Sequence, residues 1–144
     1  MGMLSDFVVA DKSDSNEIGE SIRPAEKWLT LEGWKGIDAI RLATLCCAIK
    51  QAEFTNEVYK LFTLVGGNKE DGPWVFNIPE NIIESLSILN GDQIEEVARR
   101  WVQTEELTMD DWSIREAKDF IGEISTYAKK AKESNKCLFL WFSM

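Results

Sequence analysis

The chain has 144 residues, 44% of them hydrophobic, and its 16 Lys and Arg against 25 Asp and Glu leave a formal charge of −9. That length and apolar content suffice for one domain with an ordinary core, held without metal or disulfide. The charge opposes nucleic acid and anionic membrane surfaces, whose affinity comes largely from Lys and Arg, and the lack of any histidine removes the side chain best suited to proton transfer and zinc ligation near neutral pH.

Residues 4–10 read as a first strand, led by the β-favouring Phe7, Val8 and Val9. Asp14 and Glu17, three apart, can cap a short helix with Ile18 and Ile22 on one face, and Pro24 stops it. Residues 28–36, punctuated by Gly33 and Gly36, read as irregular. Asp38 caps a second helix that runs to about Gln51. Leu42, Ala43, Leu45, Cys46, Cys47 and Ile49 spread around it, so it is expected at the centre of the molecule. Residues 59–65 suit either class by length. They are assigned to a strand because residues 74–78 follow after Gly-Gly-Asn-Lys-Glu-Asp-Gly-Pro, as in a long-looped hairpin, with residues 53–58 as a short helix leading in.

Pro79 suits the first turn of a helix with the stripe Ile82, Ile83, Leu86 and Leu89, and Asn90-Gly91 reads as its left-handed stop. Asp92 with Glu95 opens the next helix, burying Ile94, Val97, Ala98, Trp101 and Val102. An acidic connection carrying Glu105, Glu106, Asp110 and Asp111 leads to Ser113, which forms a capping box with Glu116. The long helix it starts turns Ala117, Phe120, Ile121, Ile124, Tyr127, Ala128 and Ala131 inward. Residues 138–142, apolar at consecutive positions, read as a strand covered on both faces. The expected fold class is α+β: a single domain over residues 1–144, five or so helices packed on a small mixed sheet that includes the N-terminal and C-terminal strands.

Cys46, Cys47 and Cys137 are odd in number, with no secretory signal and no membrane-length apolar run beside them, which points to a reducing cytoplasm. Gly2 opens like a myristoylation site, but Asp6 stands where that motif needs Ser or Thr. Cys46 and Cys47 fall inside an apolar helix, where burial raises a thiol's pKa, so packing outweighs reactivity. Dispersed thiols without imidazole lack zinc spacing. The acidic residues 105–111 lack the alternation and central Gly of a calcium loop, and Gly66-Gly67-Asn68-Lys69 lacks the P-loop spacing. No catalytic residue, metal or cofactor is assigned.

Two places stand out. Trp28 and Trp34 flank a glycine-bearing loop, and exposed loop aromatics are enriched in binding hot spots, so they form the expected interaction surface. Asp71, beside Gly72-Pro73-Trp74, is the carboxylate best placed to be desolvated, by Trp74, and marks a candidate pocket; Glu-Asp-Gly-Pro is also an ordinary turn. The leading functional reading is a small acidic cytoplasmic protein, non-enzymatic, that binds a protein partner and neither nucleic acid nor membrane. The alternative is a carboxylate-based enzyme or small-ligand binder with its pocket near Asp71. Were residues 138–142 an edge strand, pairing with another chain would follow naturally.

The Met1-Gly2-Met3 start, the Asp71-Gly72-Pro73-Trp74 hairpin connection, the helix over residues 82–89 and the long helix running into residues 138–141 together resemble the layout of the YfbM-like family of small bacterial proteins. That resemblance implies an α+β fold and a bacterial cytoplasmic setting. It brings no established activity and no catalytic residues.

Overall fold

The computed structural model describes residues 3–68 and 70–144; Met1 and Gly2 of the Met-Gly-Met start, and Lys69 of the loop after Gly67, lie outside the described residues. Strand β1 (Leu4–Ala10) forms where Phe7, Val8 and Val9 predict it, followed by a single 3-10 turn and helix α1 (Ser15–Glu20). Ile18 of α1 is fully buried, whereas Ile22 falls beyond the helix end and is 93% exposed. Residues expected to be irregular form β2 (Leu29–Lys35), which pairs antiparallel with β1 from Val9↔Leu29 to Leu4↔Lys35. The pairing energy outweighs the glycine signal, and Gly33, at φ +97°, sits near a break in register opposite Asp6.

Helix α2 (Ala39–Lys50) is capped as predicted, with Asp38 Oδ1 accepting from Arg41 N at 2.9 Å and Gln51 left-handed at φ 53°. A four-residue α3 (Asn56–Tyr59) precedes β3 (Thr63–Gly67), so Tyr59 ends a helix and the strand begins four residues after it. β3 and β4 (Trp74–Asn77) form the predicted hairpin. After α4 (Glu80–Ser87), Asn90 and Gln93 exchange two side-chain–backbone bonds of 2.9 Å. Asn90-Gly91 therefore starts α5 (Gly91–Trp101) and is not a left-handed stop for α4, because the reciprocal cap satisfies donors that would otherwise be orphaned. The acidic connection contains α6 (Glu105–Met109). Ser113 and Glu116 make the predicted capping box for α7 (Ile114–Glu133), and β5 (Cys137–Ser143) follows.

The five strands take the order β2-β1-β5-β4-β3. The sheet is antiparallel at every pairing, where a mixed sheet was expected. The four helices between β4 and β5 return the chain to the end of the sheet it left, since Asn77 lies opposite Phe139. Seven helices occur among the described residues; two of them, α3 and α6, have four and five residues. β5 lies between β1 and β4, so the edges are β2 and β3 and not residues 138–142.

Consecutive apolar residues in β1 and β5 serve two unequal layers. Phe7, Val9, Leu138, Leu140 and Phe142 face the large core built with α2, α4, α5 and α7. Val8, Ala10, Phe139 and Trp141 face a thinner layer completed by Ile18 of α1 and by Trp28.

Candidate functional site

Trp28 is half-buried against the thinner layer, with Lys27 Nζ 5.3 Å from its ring centroid. Trp34 lies in a strand, not in a loop. Its ring stacks on Trp112 at 5.9 Å and meets Phe120 edge-on at 5.1 Å, while Nε1 donates to Glu123 at 3.1 Å. The two tryptophans look to opposite faces of the sheet and form no common surface. Asp71 is exposed on its turn, and the Trp74 ring turns toward Gly72 and Phe142, 6.3 Å away in the latter case. The structure thus places Asp71 and Trp74 next to each other without burying the carboxylate.

The buried acid is instead Asp6, only 6% exposed, on the thin-layer side of β1. Burial, and then the nearby negative charge of Glu32, raise its pKa from the usual 3.8 to about 6, while Arg23 pulls the other way. Arg23 grips Glu32 through both of its carboxylate oxygens, Nε–Oε1 3.0 Å and Nη2–Oε2 3.3 Å. Across the strand pair from Asp6 stands Trp141, whose buried indole N–H has no hydrogen-bond partner among the described residues. The signal in the sequence is a charged residue directly before the apolar run Phe7–Ala10, at a position that the lipidation motif alone brings to notice.

A raised carboxyl pKa burdens the folded state above about pH 6, and the burden fades as pH falls toward the unfolded value near 4. The shift of about two units corresponds to at most ~3 kcal/mol, and structural relaxation and water penetration around a buried charge reduce that to about 1–2 kcal/mol. Asp6→Asn is therefore expected to stabilise the protein by that amount at pH 8 and to lose its advantage near pH 4. Urea unfolding at the two pH values measures it; equal stability of both proteins at pH 8 would contradict the assignment.

The thiols are free, and burial raises all three. Among the described residues, no three Cys, Asp or Glu side chains converge as a metal site. Asp110 is engaged structurally, since Arg41 Nε and Nη2 hold it at 2.7 and 3.3 Å while Nη1 reaches Asp38 at 3.0 Å.

Two concavities among the described residues bear on function, and neither is lined by Asp71 or Trp74. One, of about 590 Å³, lies between the end of α2 and the start of α6 and is edged by Phe54, Arg100, Glu105 and Glu106. The Arg100 side chain is occupied there by the carbonyl of Ala48, Nε–O 2.8 Å. The other, of about 660 Å³, opens at the sheet end where β1 finishes and β5 begins, and three lysines line it.

Compared with protein-family models, curated proteins and solved structures, the chain has no significant match.

Proposed function

We propose that this is a non-enzymatic, cytoplasmic protein-binding domain whose partner presents basic residues around an apolar anchor. The observation that carries the reading is a run of large apolar side chains left in solvent: Phe54, Tyr59, Leu61 and Leu64, each between 36% and 47% exposed, within eleven residues of chain. Scattered exposed apolar residues need no explanation, but a local concentration marks an interaction surface. It borders β3, an edge strand able to accept a further strand by main-chain hydrogen bonding. Glu57 lies within the run and Glu53 just before it, and Glu105 and Glu106 share the cleft with Phe54. With a chain charge of −9, this favours a basic partner drawn in by electrostatic steering.

The three free thiols fit a reducing setting. No helix among the described residues is long and apolar enough to cross a membrane. The resemblance in sequence layout to the YfbM-like family would imply such a setting and adds no activity to it.

The test pairs capture with a surface control. Leu61→Asp is expected to abolish recovery of one stoichiometric, salt-released partner from native-host extract. Ile88→Asp, at a site 71% exposed on the α4–α5 connection, should retain it. Equal recovery by both variants would remove this surface from consideration, and loss with both would point to charge alone.

A further inference from the structure

We propose that the groove at the β1–β5 end of the sheet binds a small organic anion, its phosphate or carboxylate held among Lys12, Lys132 and Lys136 and its apolar part resting on Ile78, Ile83 and Phe139. The volume, about 660 Å³, is that of a small-molecule site. Three lysines against the one carboxylate Glu80 give the lining a charge of +2, in a chain whose total is −9. Chance placement on so acidic a surface would favour the opposite sign.

The lysines come from two parts of the chain. Lys12 follows β1, while Lys132, in the last turn of α7, and Lys136, just before β5, are four residues apart; the pairing Ala10↔Cys137 brings the two parts to one rim. A helix C-terminus favours cations, which accounts for Lys132 by itself. It does not account for Lys12 or Lys136, neither of which is in that helix.

Two of the amines have outside partners, Glu84 at 3.8 Å from Lys132 and Asp11 at 3.4 Å from Lys136. Both pairs are solvent-exposed, and such pairs contribute little, so an incoming anion can recruit the ammonium groups. Lysine suits this task as a mobile point charge for phosphate or carboxylate oxygen. Ser15, Asn77 and Asn135 add hydroxyl and amide groups around the same opening. Burial raises the Cys137 thiol on the groove wall, with Glu80 and Asp11 adding to it and the nearby Lys12 charge pulling the other way. The site is distinct from the docking surface: Val65 lines the groove and packs on the thinner layer, while Leu64 stands opposite Phe76, which packs on the large core.

The test titrates phenyl phosphate, benzoate and the uncharged benzyl alcohol against the full chain at low salt, followed by amide NMR. At least one anion should bind with a Kd below about 1 mM, with benzyl alcohol at least about tenfold weaker, and should shift the Ser15, Asn135 and Cys137 amides. The tighter of the two anions decides between phosphate and carboxylate. Lys12→Gln and Lys136→Gln, both at exposed positions, should each raise Kd about 3–10-fold without changing the melting temperature. Bound anion should also slow alkylation of Cys137 by iodoacetamide, with buried Cys46 as internal reference. Absence of amide shifts up to about 10 mM anion, or unchanged Kd in both lysine variants, would overturn the proposal.

Discussion

Trp101→Ala is expected to remove about 3–5 kcal/mol from the unfolding free energy, a large part of the roughly 5–15 kcal/mol that holds a domain together. Trp101 is fully buried, and its ring sits 5.4 Å from Trp112 and 5.7 Å from Phe120 between centroids. It belongs to an aromatic group that links α5, the start of α7 and, through Trp34, the edge strand β2. Its Nε1 donates to Thr44 Oγ1 at 3.0 Å, and Thr44 in turn donates to the Arg41 carbonyl at 2.7 Å. Truncation therefore opens a cavity at the junction of three helices and strips a buried hydroxyl of its donor, two costs that add. Urea unfolding followed by tyrosine and residual tryptophan fluorescence measures the loss. A change below about 1 kcal/mol would mean that the neighbouring rings collapse into the space.

Gly67→Ala is expected to cost about 3 kcal/mol or more, for a different reason. An added Cβ would lie 1.9 Å from the Pro73 carbonyl oxygen, and the residue sits at φ +90°. Both neighbours are backbone, so no rotamer change relieves the overlap; overpacking of this kind costs about 1–3 kcal/mol and the left-handed backbone about 1–2 more. α1 presses on the same spot, with Gly19 so near that its own Cβ would come within 2.3 Å of Gly67 N. The hairpin and α1 thus meet backbone to backbone. Gly122→Ala is the control: it lies within α7 with open space around it, and should stabilise by about 0.5–1 kcal/mol. If the two variants melt alike, the close approach at Gly67 is looser than the geometry indicates.

Much of the fold was legible where the signal is local. Ser113 and Glu116, Asp38 and Gln51, and the unbroken apolar runs of β1 and β5 each carry their structure within a few residues. β2 was not legible, because its glycines argue for a loop and only the partner strand argues for pairing. Asn90-Gly91 was ambiguous in kind, since the same dipeptide ends one helix or begins another, and Gln93 decides which. The groove had no local pattern at all. Lys12 and Lys136 are far apart in sequence, and nothing short of the β1–β5 pairing sets them on one rim. Trp28 and Trp34 misled for the complementary reason: their proximity in sequence does not tell that Trp28 lies before β2 against the thinner layer while Trp34 lies within the strand against the large core.

The first and last strands pair with each other at the middle of the sheet, through seven matched positions from Leu4↔Ser143 to Ala10↔Cys137. During synthesis from the amino end, the β1–β2 ribbon and the β3–β4 hairpin therefore wait as two separate halves until Cys137–Ser143 emerges to join them. Until then the edge of β1 that pairs with β5 has no partner strand, an open edge of the kind that makes partly folded chains prone to aggregate. A ribosome stalled before residue 137 should hold a chain that proteases cut readily, and one stalled far enough beyond residue 143 to expose β5 should hold a protected domain.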